Sequence, residues 1–311
     1  LIITLPVEET GGQVWLFGSA VTNRCTPFEF SLASIEREML VKQPERYRPM
    51  SQKVLYISPT GGSRYGEQMA DILEQARRPD TAVTFMGLPP DRPNHLEYHV
   101  YEAMVLPDLV RIVRAKHCDY DAIISGGYYD VALRELREIS GDTPVIGPCQ
   151  ATTAMASVLA NSFSILVGRQ KWIPRMSANV RSYGHGERMA SMRAVDLTVH
   201  DFQQNPDAAK RLLDLGRDCI ERDGAEALIL GCTAEYGFAS EMQDSLKVPV
   251  LEAIPAALKY AEMMADAAKR FGWYPSRKHG SAAPPEEEIA AWNLFEGEPP
   301  IGREIQIGED R

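Results

Sequence analysis

The sequence lacks any apolar run approaching the roughly 20 residues that cross a bilayer. Its first residues, "LIITLPVEETGG", carry no basic group ahead of their short apolar run. A cytoplasmic protein that avoids membranes is expected. Recognisable cysteine pairing is also missing: Cys25, Cys118, Cys149, Cys219 and Cys232 are odd in number and scattered, with no CxxC and no zinc-like spacing to histidine. This usage reads as reduced thiols and no metal site. Positive charge is scarce, with 33 Lys and Arg against 43 Asp and Glu and a net charge of -10. A nucleic-acid backbone is therefore a poor partner. Neither GxGxxG nor GxxxxGK[ST] occurs, so no nucleotide cofactor is implied. What remains is a small-molecule ligand.

With 311 residues and 44% hydrophobic content, the chain can bury one large core or two smaller ones, and two fit common domain sizes better. From residue 53 onward, β-rich runs alternate with helical patterns, as in parallel sheets wrapped by helices. The strands are expected at 53–58, 81–87, 121–126, 144–148, 162–168, 194–199, 226–231 and 248–253. Amphipathic segments such as "GEQMADILEQARR" and "AAKRLLDLGRDCIERDG" fill the gaps.

The two halves echo each other. "YDAIISGGYYDVALRELREISGDTPVIGPCQATTAMA" and "AEALILGCTAEYGFASEMQDSLKVPVLEAIPAALKYA" both run strand, loop, helix, "PV" strand, loop, helix. The reading is an α/β fold of two pseudo-twofold lobes. Each has a parallel sheet of about four strands flanked by helices, and the active site lies in the cleft between them. The lobes are placed at 51–160 (with about 256–273) and 161–255. Residues 1–50 and the Pro-, Gly- and Glu-rich 274–311 form arms that pack on a neighbour or on the core.

In open parallel sheets, ligands gather beyond the carboxyl ends of the strands. "SPTGG" (58–62) offers Ser58, Thr60 and the Gly61 amide ahead of a helix pattern, suited to an anion or equally to an ordinary turn. Cys232 ends an apolar strand in "EALILGCTAEYG", where a following helix would favour the thiolate. Such a thiol can exchange protons with carbon or attack it, and a small buried hydrophobe is the other reading. Thr233 beside it can donate to a substrate oxygen. Cys149 lies in a second strand-end loop with Gln150, and on position can face the same cleft. His95 and His99 are four apart, which would put both rings on one solvated helical face, and His200 follows a strand toward the cleft. Arg169, Lys171, Arg175 and Arg181 would suit an anionic substrate or form a basic helix face.

Taken in order, "VLYISPTGG", "DAIISGGYYDVALRE", "TPVIGPCQATTAMASVLANSFSILVG", "ALILGCTAEYG" and "VPVLEAIPAALKYAE" resemble the aspartate/glutamate/hydantoin racemase superfamily, nearest its hydantoin racemase branch. The resemblance implies chemistry without a cofactor at an acidic carbon beside a carbonyl, on an anionic or cyclic-amide substrate. It also implies a homo-oligomer. In these racemases two cysteines face opposite sides of the substrate, and Cys232 falls on the second. Gly127 stands where the first belongs, within the "SGGYYD" loop whose Gly126 and Tyr128 would also meet substrate. Two repairs are open: Cys149 supplies the other thiol, or the enzyme uses one cysteine, as the arylmalonate decarboxylases do. The first implies a racemase or epimerase. The second opens decarboxylation, or hydrolytic opening or desulfuration of a ring.

Overall fold

The computed structural model describes residues 2–6, 13–17, 51–62 and 65–308. The chain divides into two compact units, 1–48 and 49–311. In the first, β1 (Ile2–Pro6) pairs antiparallel with β2 (Gln13–Phe17). The rest of the expected amino-terminal arm, Cys25 included, lies outside the described residues.

The second unit holds two sheets. Its first half runs β3 (Gln52–Gly61), α1 (Gly66–Ala76), β4 (Thr81–Leu88), α2 (His99–Lys116), β5 (Ala122–Ser125), α3 (Leu133–Ile139), β6 (Val145–Ile146) and α4 (Pro148–Leu159). The second half runs β7 (Phe163–Val167), α5 (Ile173–Ser182), β8 (Met189–Ala194), α6 (Ala208–Asp223), β9 (Ala227–Leu230), α7 (Ala239–Leu246), β10 (Val250–Glu252) and α8 (Ala253–Phe271). A carboxyl-terminal stretch adds α9 (Glu286–Ala291) and β11 (Glu304–Ile307).

Strand order is β11-β4-β3-β5-β6 in one sheet and β10-β9-β7-β8 in the other. In each half the first strand sits between the second and the third, with the fourth outside the third, and all these pairs are parallel. The sequence echo is thus a repeated topology. β11 pairs antiparallel with β4 and makes the first sheet five-stranded, because part of the carboxyl-terminal segment serves as a strand.

Both faces of each sheet are covered, which is why the strands read as continuous apolar runs. Residue parity divides them. Leu55, Ile57, Ile123 and Val145 of the first sheet share one apolar cluster with Phe163, Ile165, Val167, Ala227 and Ile229 of the second. The opposite faces pack separately: Val54, Tyr56 and Ile124 on α1 and α8, and Leu166, Leu228 and Leu230 on α6 and α7. In α8 the buried residues Ile254, Ala257, Leu258, Ala261 and Ala265 recur at helical spacing, and small alanines let the helix lie close to the first sheet. Gly272, at φ +69°, ends it in the left-handed turn that glycine adopts without strain.

One strand falls elsewhere than expected. The second half's edge strand is β8 at 189–194, not 194–199. The amides of Val195 and Leu197 still donate to Val167 and Gly168, but Asp196 between them is left-handed at φ 58°, which breaks the extended run. The β-branched character of "AVDLTV" outweighs that of "MASMRA", so composition points to the wrong segment.

Candidate active site

An order of second-first-third-fourth reverses its winding between the first and third strands, and ligands bind beyond that switch point. Here the rule applies twice. The segments following β3, β5, β7 and β9 all line one cleft of about 910 Å³, open mouth included.

Cys232 stands just past β9. No helix begins there, contrary to expectation: the chain turns, and α7 starts only at Ala239. The Ala234 N–H approaches Sγ at 3.5 Å. Burial, then the neighbouring Glu235 carboxyl, push the thiol well above its ordinary range. Cys232 therefore rests as a thiol, a proton donor. Glu235 is 1% exposed, and burial pushes its carboxyl well above the ordinary carboxylate range, against the pull of the Cys232 and Gly231 backbone amides. The pair cannot ionise together, because two negative charges side by side away from water are costly.

To the same cleft the first half contributes Ser58, Thr60, Gly126, Gly127 and Tyr128. Ser58 Oγ and Thr60 Oγ1 lie 3.1 Å apart. Gly61 does not line the cleft. Its N–H donates to Pro93 O (2.8 Å) and that of Gly62 to Leu88 O (3.4 Å). These amides hold the 88–93 loop and are not free to cradle an anion. Gly61 also has to be glycine, since a Cβ there would lie 2.3 Å from Arg92 O.

Gly127 has an ordinary φ, so space is what selects it. A Cβ would meet Val131 Cγ2 at 2.4 Å. Val131 fills the volume that a side chain at 127 would take. Tyr128 lines the cleft and sends its hydroxyl to Thr152 (3.5 Å) and the Cys149 thiol. Thr233 lines the cleft beside Cys232.

Cys149 and Gln150 are placed otherwise. Both lie in the first turn of α4, and neither lines the cleft. The Cys149 thiol is fully buried in the shared core behind Tyr128, and burial, with Asp130 nearby, raises it well above its ordinary range. Gln150 Oε1 accepts from Arg137 at 2.6 Å.

Several lining residues carried no such reading in the sequence. The loop between β4 and α2 brings His95, Leu96 and Glu97 to the cleft, and Trp172 stacks within it at 4.6 Å on Tyr129, which the sequence places beside Tyr128 as a ring that could stack on substrate. His95 precedes α2 and His99 begins it, so the two do not share a helical face, and His99 packs on Trp172 instead. His200 does line the cleft. Of the four basic residues, only Arg169 does so, 3.9 Å from Glu97. Arg175 pairs with Glu102, Lys171 covers the Tyr98 ring, and Arg181 is exposed. Among the described residues, no group of His, Cys, Asp or Glu could hold a metal ion. No helix among them is long and apolar enough to cross a membrane.

Comparison with known proteins agrees with this architecture. The family described as Asp/Glu/Hydantoin racemase matches residues 54–261. A hydantoin racemase from Rhizobium meliloti is 31% identical over 205 residues, 65% of this chain and 83% of that protein. Another, from Pseudomonas sp. (strain NS671), is 28% identical over 220 residues, 70% of this chain and 88% of that protein. Among solved structures, allantoin racemase from Klebsiella pneumoniae superposes with a TM-score of 0.68 at 24% identity, covering 76% of this chain and 94% of that one.

Proposed function

The chain belongs to the Asp/Glu/Hydantoin racemase family, and from that premise we propose that it is a cofactor-independent isomerase. It moves a proton at the acidic carbon beside a carbonyl in a hydantoin-like ring or a small carboxylate. Cys232 is the acid/base. The observation that carries this reading is the position of Cys232: a protonated thiol past β9, in a cleft built by both halves of the fold. The substrate carbonyl delocalises the electron pair left on carbon. The thiol then returns a proton to that carbon from the second half's side. The hydantoin racemases among its relatives favour a cyclic amide over other substrates. Among the described residues the lining is mostly apolar with one arginine, Arg169, which suits a neutral or singly charged ring better than a dicarboxylate.

Val131 in the place of a side chain at 127 favours a second reading. A site with one thiol can protonate a carbanion left by decarboxylation, or attack a ring carbon and release it to water. Deuterium separates the two. Under the first reading, heavy water labels the α-carbon of recovered substrate from either enantiomer of 5-benzylhydantoin or allantoin. Loss of carbon dioxide from phenylmalonate, opening of the hydantoin ring, or sulfide release from 5-benzyl-2-thiohydantoin, without labelling, would establish the second. Replacing Cys232 by Ser lowers turnover on the order of 10²–10⁴-fold in either case, the usual contribution of a positioned acid/base. Unchanged turnover would remove Cys232 from the chemistry.

The reading extends to a homo-oligomer in the cytoplasm, in keeping with the family habit and scattered thiols. Sedimentation velocity tests the assembly.

A further inference from the structure

A carboxylate in the wall of a mostly apolar cleft needs a hydrogen-bond donor, and among the described residues the groups that face Glu97 do not supply one. We infer that Glu97 is the specificity residue of the site: its carboxylate accepts the ring N–H next to the reacting carbon and so selects a neutral cyclic amide of the hydantoin type. This rests on the proposed isomerase reading and names the group that recognises its substrate.

Glu97 comes from the loop between β4 and α2 and is the one carboxylate among the described residues that line the cleft. It is only 7% exposed. One of its oxygens lies 3.9 Å from an Arg169 guanidinium nitrogen and the other 3.8 Å from His95 Nδ1, both beyond hydrogen-bond reach. His95 has no proton to give there. Its Nδ1 accepts the Glu97 backbone N–H at 3.3 Å, so the neutral ring carries its proton on Nε2. The Arg169 side chain is engaged by the Tyr98 hydroxyl. Arg169 thus balances the charge of Glu97 and leaves both oxygens open, and a buried acceptor in this state gains from any N–H that a ligand brings. Bonds to an ionised acceptor are the stronger kind, which makes the gain specific to a ligand with a donor at that point.

Proximity to Cys232 chooses the N–H. Burial and Glu235 lead the influences that raise the Cys232 thiol, and the charge of Glu97 adds to them, so the carboxylate is felt at the sulfur. In a hydantoin the carbon that exchanges its proton is bonded to one ring nitrogen and one carbonyl carbon, whereas the other nitrogen lies between two carbonyls, away from it. A ring that presents this carbon to Cys232 brings the adjacent N–H to Glu97. Acyclic acids fit the same groups less well. A dicarboxylate sets one of its charges against Glu97. A free α-amino acid can give Glu97 its ammonium, but its carboxylate then competes with Glu97 and the Tyr98 hydroxyl for Arg169.

The test measures binding to the full chain by calorimetry, with racemic ligands whose composition an isomerase leaves unchanged. The probes are 5-benzylhydantoin and 3-benzylsuccinimide, in which a CH2 of similar size replaces the N–H beside the reacting carbon. The parent is expected to prefer the hydantoin at least about 10-fold. Glu97→Met removes the acceptor, and the preference should fall to about threefold or less. Glu97→Gln keeps the shape and a neutral acceptor, and there the preference should fall at least about twofold; this variant decides alone if the Met variant does not fold. A parent preference below about threefold overturns the inference, as does a parent preference that Glu97→Gln leaves unchanged. Phenylalanine, with an ammonium on the equivalent carbon, is expected to bind at least about 10-fold more weakly than the hydantoin. Equal or tighter binding would overturn the choice of a cyclic amide. Deuterium uptake by 5-benzylhydantoin reports separately on the isomerase reading: the preference without label sinks the reaction and leaves the role of Glu97 standing, and label without the preference sinks Glu97 alone.

Discussion

At the scale of single residues, the Cys232–Glu235 pair governs when the thiol is reactive. Glu235 is buried beside the thiol, and its ionised form would oppose the thiolate directly. Glu235→Gln removes that charge and keeps the burial. The midpoint of Cys232 alkylation by iodoacetamide, followed against pH by mass spectrometry at that site, is expected to fall by about one unit, a tenfold gain in thiolate at fixed pH. An unmoved midpoint would assign the whole effect to burial. Cys232 was legible in sequence because a strand end followed by a thiol is a local pattern. Glu235 was not, since what makes it consequential is its neighbour and the absence of water. His95 was read as a surface residue for a similar reason. "PPDRPNHLEY" has no periodicity, and its approach to the cleft is tertiary.

At the scale of elements, Asp130 joins the "SGGYYD" loop to two helices. Its carboxyl accepts the N–H groups of Cys149 (2.8 Å) and Gln150 (3.0 Å) at the start of α4 and the Tyr183 hydroxyl (2.7 Å) beyond α5. It thus caps α4 across the sequence and fixes the turn that carries Gly127 and Tyr128. Burial nevertheless raises its pKa to about 7, with Tyr183, Cys149, Gln150 and Arg137 all pulling the other way. Because the folded value lies above the ordinary carboxyl value of 3.8, the native state holds a proton that the unfolded chain has released between those limits. The associated stability is fully present below about pH 4 and is lost as pH rises through about 7, at up to about 1.4 kcal/mol per unit. Urea unfolding at a series of pH values is expected to show this slope in the parent and not in Asp130→Asn. Asparagine keeps an acceptor for the start of α4, so the variant should gain in stability relative to the parent as pH rises through about 7. An identical slope in both would place the titration elsewhere. The strands themselves were legible because burial on both faces gives unbroken apolar runs. This signal fails at β8, an edge strand that is only partly buried, and at β11, which lies in a segment whose composition resembles an arm.

At the scale of the whole unit from 49 to 311, one face of each sheet belongs to a single apolar cluster, so neither half closes that face without the other. Ile165→Ala, in the second sheet, is expected to cost about 2–5 kcal/mol. The loss should appear equally in the amide exchange of β3 and of β9, because both open with the same cooperative unit. Exchange that speeds up only in the second half would separate the two energetically. The repeated topology was legible from the echo between the halves, whereas the shared layer was not, since parity along a strand does not say what lies opposite.

Leu96, Tyr128, Tyr129, Val131, Trp172 and Met176 belong to that layer and also wall the cleft. These walls of the slot are therefore close-packed material, and their side-chain volume sets its width. Such a frame acts as a sieve. On the proposed isomerase reading it would rank ring substituents by size at the moment of entry and leave the interaction with the ring for the proton's passage across it.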